Sequence, residues 1–312
     1  MISIGNIYKK IALSSPKLEV LLRKLYWNNA ALLSRFSVNK TNRVHRTEFV
    51  DFEEIVNFLK ECGLGEGSLV IIHSSYGNLK PTSLDNKGII ERLLQLVGPS
   101  GTLAAPVIRH FKEEEVLSLK DKIKDKVADI QCVYDVENTP VSCGVLCSTL
   151  MKHPGSETSL FPLNPLTAVG PLAKEMMEGN LDGEYPSAHG PNSCWKFCAD
   201  HNAFIVYLGV NYGHHITMQQ VVTESYPEMC PPGFFHKRSF TIFNGEERKD
   251  VVVHERRQQW TKYLAEMNVN KDLAESGIVK MTNIKGIPVS VMRAQDLIEF
   301  YRKKGGYYPY FI

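Results

Sequence analysis

Groups able to do acid–base or nucleophilic work are bunched at a few points of this chain. His73-Ser74-Ser75 follows the apolar run Leu69–Ile72. A polar turn at the C-terminal end of a buried strand presents amides and hydroxyls that can hold a phosphate or polarise a carbonyl. The same turn can also spend its hydroxyls on its own backbone. His189 in AHGPNSCWKF, the pair His214-His215 and His254 beside Glu255 each offer an imidazole whose ordinary pKa of about 6.5 suits proton transfer near neutrality. Each also fits a hydrogen-bonded loop histidine. Cys143-x3-Cys147 and Cys194-x3-Cys198, with His189 and His201 nearby, contain metal-ligand residue types. Their spacing is not that of a zinc knuckle, so buried thiols are expected and no metal. Cys194 as a two-step acyl carrier is the alternative. There is no glycine-rich loop of the Walker or Rossmann kind and no nucleic-acid motif, and no nucleic-acid partner is expected.

Alternating strands and helices must position these groups. FVDFEEIVNFLKECGLGEG reads as a helix ending near Gly63, Leu69–Ile72 as a short buried strand, KGIIERLLQLVGPSG as a helix closed by Gly98-Pro99, and TLAAPVI as the next strand. Strand, helix, strand implies a parallel crossover, hence an α/β body with a central, mostly parallel sheet and flanking helices. FIVYLGV is a later buried strand. RSFTIFNGEERKDVVVHE reads as a hairpin turning at Asn244-Gly245. The charged run Lys112–Asp129 is expected as a solvated helix or flap.

The chain's 43% apolar and 22% charged residues are those of a globular protein, and no apolar run is long enough to span a bilayer. Seven scattered cysteines and the lack of a secretory signal point to reduced thiols and a cytoplasmic setting. The net charge of +2 hides an asymmetry. Residues 1–46 carry nine Lys or Arg against one acid, Glu19, a net of +8 that leaves −6 for the remainder. Within that segment Leu18, Leu21, Leu22, Leu25 and Tyr26 fall at helical spacing after Pro16. We therefore divide the chain into a basic amphipathic helical extension, 1–46, and an α/β domain, 47–312. The extension can lie peripherally on an anionic membrane or lipid-linked substrate, or pack on its own domain or a partner.

VYDVENTPVSCGVLCSTLMKHPGSETSLFPLNPLTAVG (Val133–Gly170), together with Ile-Ile-His-Ser-Ser and Gly-Pro-Ser-Gly-Thr-Leu-Ala-Ala-Pro (Gly98–Pro106), resembles in order and spacing the blocks of the aminoglycoside 3-N-acetyltransferase family. The likeness runs from about Phe49 to at least Glu255. It implies that family's fold and acetyl-CoA as co-substrate. It also implies that His73, Ser74, Ser75 and Tyr76 line the coenzyme A path, with Gly144 and Val145 in the turn opposite. Ser159 would match the serine of an Arg-Ser pair whose arginine is here Thr158, a lost bidentate contact to phosphate.

The family's Thr-x-x-His-x-x-Glu, anchored on Thr217, puts Gln220 at the histidine and Thr223 at the acid. Glutamine cannot take up a proton. Candidates to act at this catalytic position are His215, Glu224 and His189, the last in the counterpart of the family's Gly-x-x-Ser-Pro loop. His254 and Glu255 fall where relatives carry acceptor-binding acids. The implied function is acyl-CoA-dependent N-acyl transfer, acetyl first, to an amino sugar of glycan or antibiotic-related metabolism. Glu255 is flanked by His254, Arg256 and Arg257 rather than by further acids. That favours a neutral or anionic acceptor, such as a nucleotide-linked, lipid-linked or glycan-borne amino sugar, over a polycation. A transferase with another donor or a hydroxyl acceptor, and a catalytically inactive binding relative, are the competing readings.

Overall fold

The computed structural model describes residues 4–29, 48–118, 121–122, 124–214 and 217–311. Two helices, α1 (Ile4–Ala12) and α2 (Pro16–Asn28), precede the body. The body opens with α3 (Phe52–Glu61), whose first turn is capped by the Asp51 side chain accepting from Glu53 N at 3.0 Å. Then come β1 (Leu69–Ser74), the short α4 (Tyr76–Leu79), α5 (Asn86–Val97) and β2 (Thr102–Pro106). Next are β3 (Cys132–Asp135), α6 (Val145–Met151), β4 (Glu157–Thr158), β5 (Leu166–Val169), α7 (Ala173–Met177), α8 (Cys194–Asp200) and β6 (Phe204–Leu208). The last third holds α9 (Gln219–Ser225), β7 (Phe235–Asn244), β8 (Glu247–Arg256), α10 (Gln258–Lys262), α11 (Glu266–Ser276), β9 (Lys280–Ile284), β10 (Ile287–Arg293) and α12 (Ala294–Lys304).

The main sheet runs β4-β5-β2-β1-β6-β10-β9. Its centre, β2-β1-β6, is parallel, as the crossover implied, and the strands on both flanks pair antiparallel. Helices cover both faces. Leu69 and Ile71 of β1 join a core with Trp195, Val221 and Leu297, while Val70 and Ile72 join one with Ile55, Leu93 and Leu146. That two-residue alternation between two apolar layers is why β1 reads as an unbroken hydrophobic run.

A second, three-stranded sheet has the order β3-β7-β8. Its hairpin closes with Asn244 opposite Glu247, so the loop residues are Gly245 and Glu246, one position later than expected. Gly245 has φ 59°, which the first loop position of a two-residue turn demands. The charged run 112–129 is not a free helix. Among its described residues are the turns Lys112–Glu114 and Lys126–Asp129. Glu114 accepts from Arg238 Nη2 at 3.0 Å, and Asp125 accepts from Arg257 Nη1 at 2.8 Å. Acids that composition assigns to solvent thus have partners on the hairpin, far away in sequence.

The apolar stripe expected of the extension is not its docking face. In α2, Glu19 and Val20 are buried, whereas Leu21, Leu25 and Tyr26 are 52%, 55% and 47% exposed. The described part of the extension is fastened to the body through α10 and α11, not detached from it.

Candidate active site

The turn leaving β1 carries the first group of expected site residues. The His73 ring stacks on Tyr207 at 4.9 Å and faces Trp195 at 6.2 Å. Ser74 Oγ is buried and has no hydrogen-bond partner, an unsatisfied hydroxyl of the kind that a ligand or water completes. Ser75 N donates to Leu208 O at 3.0 Å, and Asn78 Nδ2 to Gly209 O at 2.7 Å. Gly209 is held at φ 69°, and a Cβ there would stand 3.0 Å from Asn78 Cβ and 3.2 Å from Ser75 O. Only glycine lets β6 approach this turn so closely.

The segment 141–145 crosses the ends of β1 and β2. Cys143 Sγ donates to Pro106 O at 3.0 Å and Ser142 N to Ile108 O at 2.8 Å. Gly144, the residue before α6, lies on the β1 turn: a Cβ on it would meet Ser74 O at 3.5 Å. The fold therefore brings Ser74, Ser75, Tyr76, Gly144 and Val145 together from separate blocks, with Val145 half-exposed beside them. Ser159 does not join them. Its side chain is fully buried, its hydroxyl donates to Asn180 Oδ1 at 2.6 Å and accepts from Phe161 N at 3.1 Å, and its carbonyl accepts from Tyr134. Its hydroxyl is thus engaged inside the protein, as donor and as acceptor, and does not face the β1 turn's group in any of these contacts.

Beyond His73 and Trp195 lies a cleft of about 240 Å³ between the two sheets, lined by Arg109, His189, Glu224, His254, Glu255 and Arg256 among others. At its wall His189 and Glu224 form a buried pair, their side chains 2% and 3% exposed. His189 Nδ1 lies 2.9 Å from Glu224 Oε1, and His189 N donates to Glu224 Oε2 at 2.9 Å. Ser225 Oγ donates to His189 O at 2.7 Å, so the histidine backbone is held from both sides by the end of α9. A carboxylate on Nδ1 fixes the proton there and leaves Nε2 with its lone pair. Nε2 is buried and has no hydrogen-bond partner among the described residues. Burial pushes the Glu224 carboxyl up, but His189 and the Arg256 charge outweigh it and hold it below the ordinary carboxylate value.

The cleft's other charges are mostly spent. Glu255 accepts from His236 Nε2 at 2.7 Å and from Arg238 Nη1 at 2.8 Å, and Glu114 also pairs with Arg238. Glu255 thus lines the cleft, but its carboxylate is already engaged. His254 stacks between Phe235 and Tyr185 at 4.9 and 5.0 Å, and burial with the Lys237 charge keeps its pKa below the usual imidazole value. Arg109 is 6% exposed and donates to the carbonyls of Thr139 and Val136. Neither Arg109 nor Arg256 has a carboxylate within 4 Å among the described residues.

Residues 71–304 match the aminoglycoside 3-N-acetyltransferase family. The chain belongs to that family. It is 24% identical over 167 residues to aminoglycoside N(3)-acetyltransferase IV of Salmonella sp, an alignment that takes in 53% of this chain and 56% of that protein. The chain thus spans about half the length of the curated relatives it matches. Its fold superposes on AAC-IIIb, solved as a binary complex with CoASH, with a TM-score of 0.65 at 17% identity over 83% of this chain and 98% of that one. AAC-VIa bound to sisomicin superposes with a TM-score of 0.64 at 18% identity, covering 81% of this chain and 96% of that one.

Against the aminoglycoside 3-N-acetyltransferase pattern, two motif positions are occupied differently. Gln220 faces a neighbouring cleft and accepts from Tyr310 OH at 3.3 Å, away from the His189–Glu224 contact. Thr223, at the motif's acid, is buried, and the acid that reaches the loop is the next residue, Glu224. His215 lies outside the described residues. Cys194 is fully buried and burial lifts its thiol to about 11, which removes it as a nucleophile. Arg109 and Trp195 escaped the sequence reading. Arg109 left one signal there, a charge directly after the apolar run TLAAPVI.

Proposed function

We propose that this protein transfers an acetyl group from acetyl-CoA to a primary amine of an amino sugar, with His189 as general base and Glu224 as the group that orients it. The buried His189–Glu224 pair carries this reading, because both residues line the cleft and Nε2 is left without a hydrogen-bond partner among the described residues. The thioester would rest between Ser74, Ser75 and the Gly144–Val145 turn. As the acceptor nitrogen bonds to the acetyl carbon, Nε2 takes the amine proton; the C–S bond then breaks, coenzyme A leaves as the thiolate, and the imidazolium returns that proton to the sulfur. A base so placed is worth about 10²–10⁴-fold in rate.

Charge supports the acceptor class. Glu255 and Glu114 share Arg238, and Lys122 stands 3.7 Å from Glu114 as a second cation, while Arg109 and Arg256 carry no paired carboxylate among the described residues. That balance suits an amino sugar that is neutral or anionic overall, borne on a glycan, nucleotide or lipid, better than a polycationic drug. The test is acetyl-CoA with a panel of amino sugars and aminoglycosides. Acceptor-dependent release of free thiol is expected, strongest for acceptors bearing a phosphate or carboxylate. Acetyl-CoA at one hundred times its Kd should add about 2.7 kcal/mol of stability. An unchanged melting temperature, or thiol release indifferent to acceptor, would remove the proposal.

The exposed Leu21, Leu25 and Tyr26, with Lys17 beside them, support peripheral contact with an anionic bilayer, where a carrier-linked acceptor would be found. Among the described residues no helix is long and apolar enough to cross a membrane. Co-sedimentation with phosphatidylglycerol vesicles should fall when Leu21 and Leu25 are both changed to Ser. Equal sedimentation of the two forms would end this part of the reading.

A further inference from the structure

We infer that α2 is a positioning element for the acceptor cleft, acting through one buried carboxylate, Glu19, that caps the first turn of α11. Glu19 is the acid of an otherwise basic segment, and it is fully buried. Its Oε1 accepts from Met267 N at 2.8 Å; its Oε2 accepts from Asn268 N at 3.0 Å and from Asn268 Nδ2 at 2.7 Å. Those amides are among the ones a helix N-terminus leaves without partners. The residue that should cap α11 is Ala265, which has no side-chain acceptor. The cap is therefore delivered from 248 residues away.

Arg23 fixes the arrangement from outside, 3.0 Å from Glu19 Oε1 and 2.5 Å from Glu266 Oε2. Asn268 Nδ2 also donates to Ala12 O at 3.0 Å, which ties in α1. Lys262 sits 4.2 Å from the centre of the Trp27 ring, and Tyr263 OH donates to Asn28 Oδ1 at 3.1 Å.

What α11 does explains why its start matters. Glu266, Val269 and Asn270 form one wall of a second cleft of about 290 Å³, opposite Gln220. Ile108, Asn164, Arg256 and Thr261 line both this cleft and the one holding His189, so the two adjoin. Asn270 Oδ1 is buried there without a partner, an acceptor atom suited to a sugar hydroxyl. Asn270 also sets the clearance of the loop before α9, since a Cβ on Gly213 would stand 2.4 Å from Asn270 Nδ2. A shift at the first turn of α11 therefore moves the far wall of the cleft and leaves the β1 turn untouched. The part of the chain matched to the family begins at residue 71, so Glu19 lies outside it.

The inference rests on the reading of these clefts as the acceptor site, and its test separates the two. Wild type, Glu19→Gln and Glu19→Asp are compared by hydrogen exchange and by kinetics, with Leu93→Ala, in the opposite core layer, as a control of lowered stability. In Glu19→Gln, exchange at Met267 and Asn268 should quicken about fivefold to tenfold, the order of a lost cap. The acceptor KM should rise by about fivefold, the order of one misplaced polar contact, with acetyl-CoA KM and kcat within about twofold of wild type. Glu19→Asp should recover part of both. Unchanged exchange in α11 overturns the cap, and this arm needs no turnover, so it stands apart from any failure of the acetyl-transfer reading. Faster exchange with an unchanged acceptor KM overturns the link to the cleft. A parallel rise in both KM values, reproduced by Leu93→Ala, reduces Glu19 to general stability. Should Glu19→Gln fail to fold, Arg23→Met keeps the carboxylate and should show the same split in smaller degree.

Discussion

His189→Ala is expected to lower kcat about 10²–10⁴-fold while leaving the affinity for acetyl-CoA unchanged. The expectation follows from where the side chain sits. Its Nδ1 is held by Glu224, its backbone by Glu224 and Ser225, and its Nε2 is buried at the cleft wall with no hydrogen-bond partner among the described residues. The residues placed along the thioester path come from the β1 turn and the Gly144 turn, which His189 does not support. Steady-state kinetics with an amino-sugar acceptor, together with calorimetric titration of acetyl-CoA, read the two effects separately. A variant with wild-type kcat would assign the proton to another group, with the undescribed His215 next in line.

Glu224→Gln gives the companion result. An amide cannot take the imidazole N–H as a carboxylate does and can present its own N–H instead, which turns the tautomer and puts the proton on Nε2. Activity should fall with the fold intact. Glu224 also carries a pH signature. Its folded pKa lies below the unfolded one, so its contribution to stability is present above the ordinary carboxylate value and is lost as pH falls through the depressed one. Chemical denaturation followed downward from pH 6 should show that loss in wild type and a smaller one in Glu224→Gln.

Much of the scaffold was legible because its signals are local. Leu69–Ile72, Thr102–Pro106 and Phe204–Leu208 are apolar runs closed by turn residues, and Asp51 and Asp85 announce α3 and α5 as caps. The site was less legible because its decisive contact joins residues 35 positions apart. Motif order placed the acid at Thr223. Along a helix one residue is a turn of about 100°, so Thr223 points into the core while Glu224 points to the 187–190 loop. Only the packing of α9 shows which of the two reaches a histidine. The extension failed for a similar reason. Its apolar periodicity was real, but the face that docks is chosen by Glu19, whose partners are backbone amides that leave no mark in the sequence.

Arg238→Met is the substitution expected to cost most stability, about 3–5 kcal/mol, because it strands buried charge instead of removing it. The guanidinium is completely buried, bonded to Glu255 at 2.8 Å, Glu114 at 3.0 Å and Cys132 Sγ at 3.1 Å, and it lies 5.0 Å over the Phe240 ring. Methionine replaces most of its apolar stem but none of its donors. Glu255 would keep only His236. Burial already pushes the Glu255 carboxyl up, and its hydrogen bond from His236 and the Arg238 charge bring it below its ordinary value. Without Arg238 the burial effect wins and the folded pKa rises above the unfolded one. The sign of the pH dependence then follows. In wild type Glu255 stabilises the fold above the carboxylate range and loses that contribution on acidification; in the variant its ionised form opposes folding as pH rises. Urea midpoints should therefore differ more at pH 7 than at pH 4. Adding Glu255→Gln should return much of the loss, since the unpaired charge leaves with it. A stability gap equal at both pH values, or a double variant no better than Arg238→Met alone, would show that Arg238 matters for its packing volume and not for the charge it neutralises.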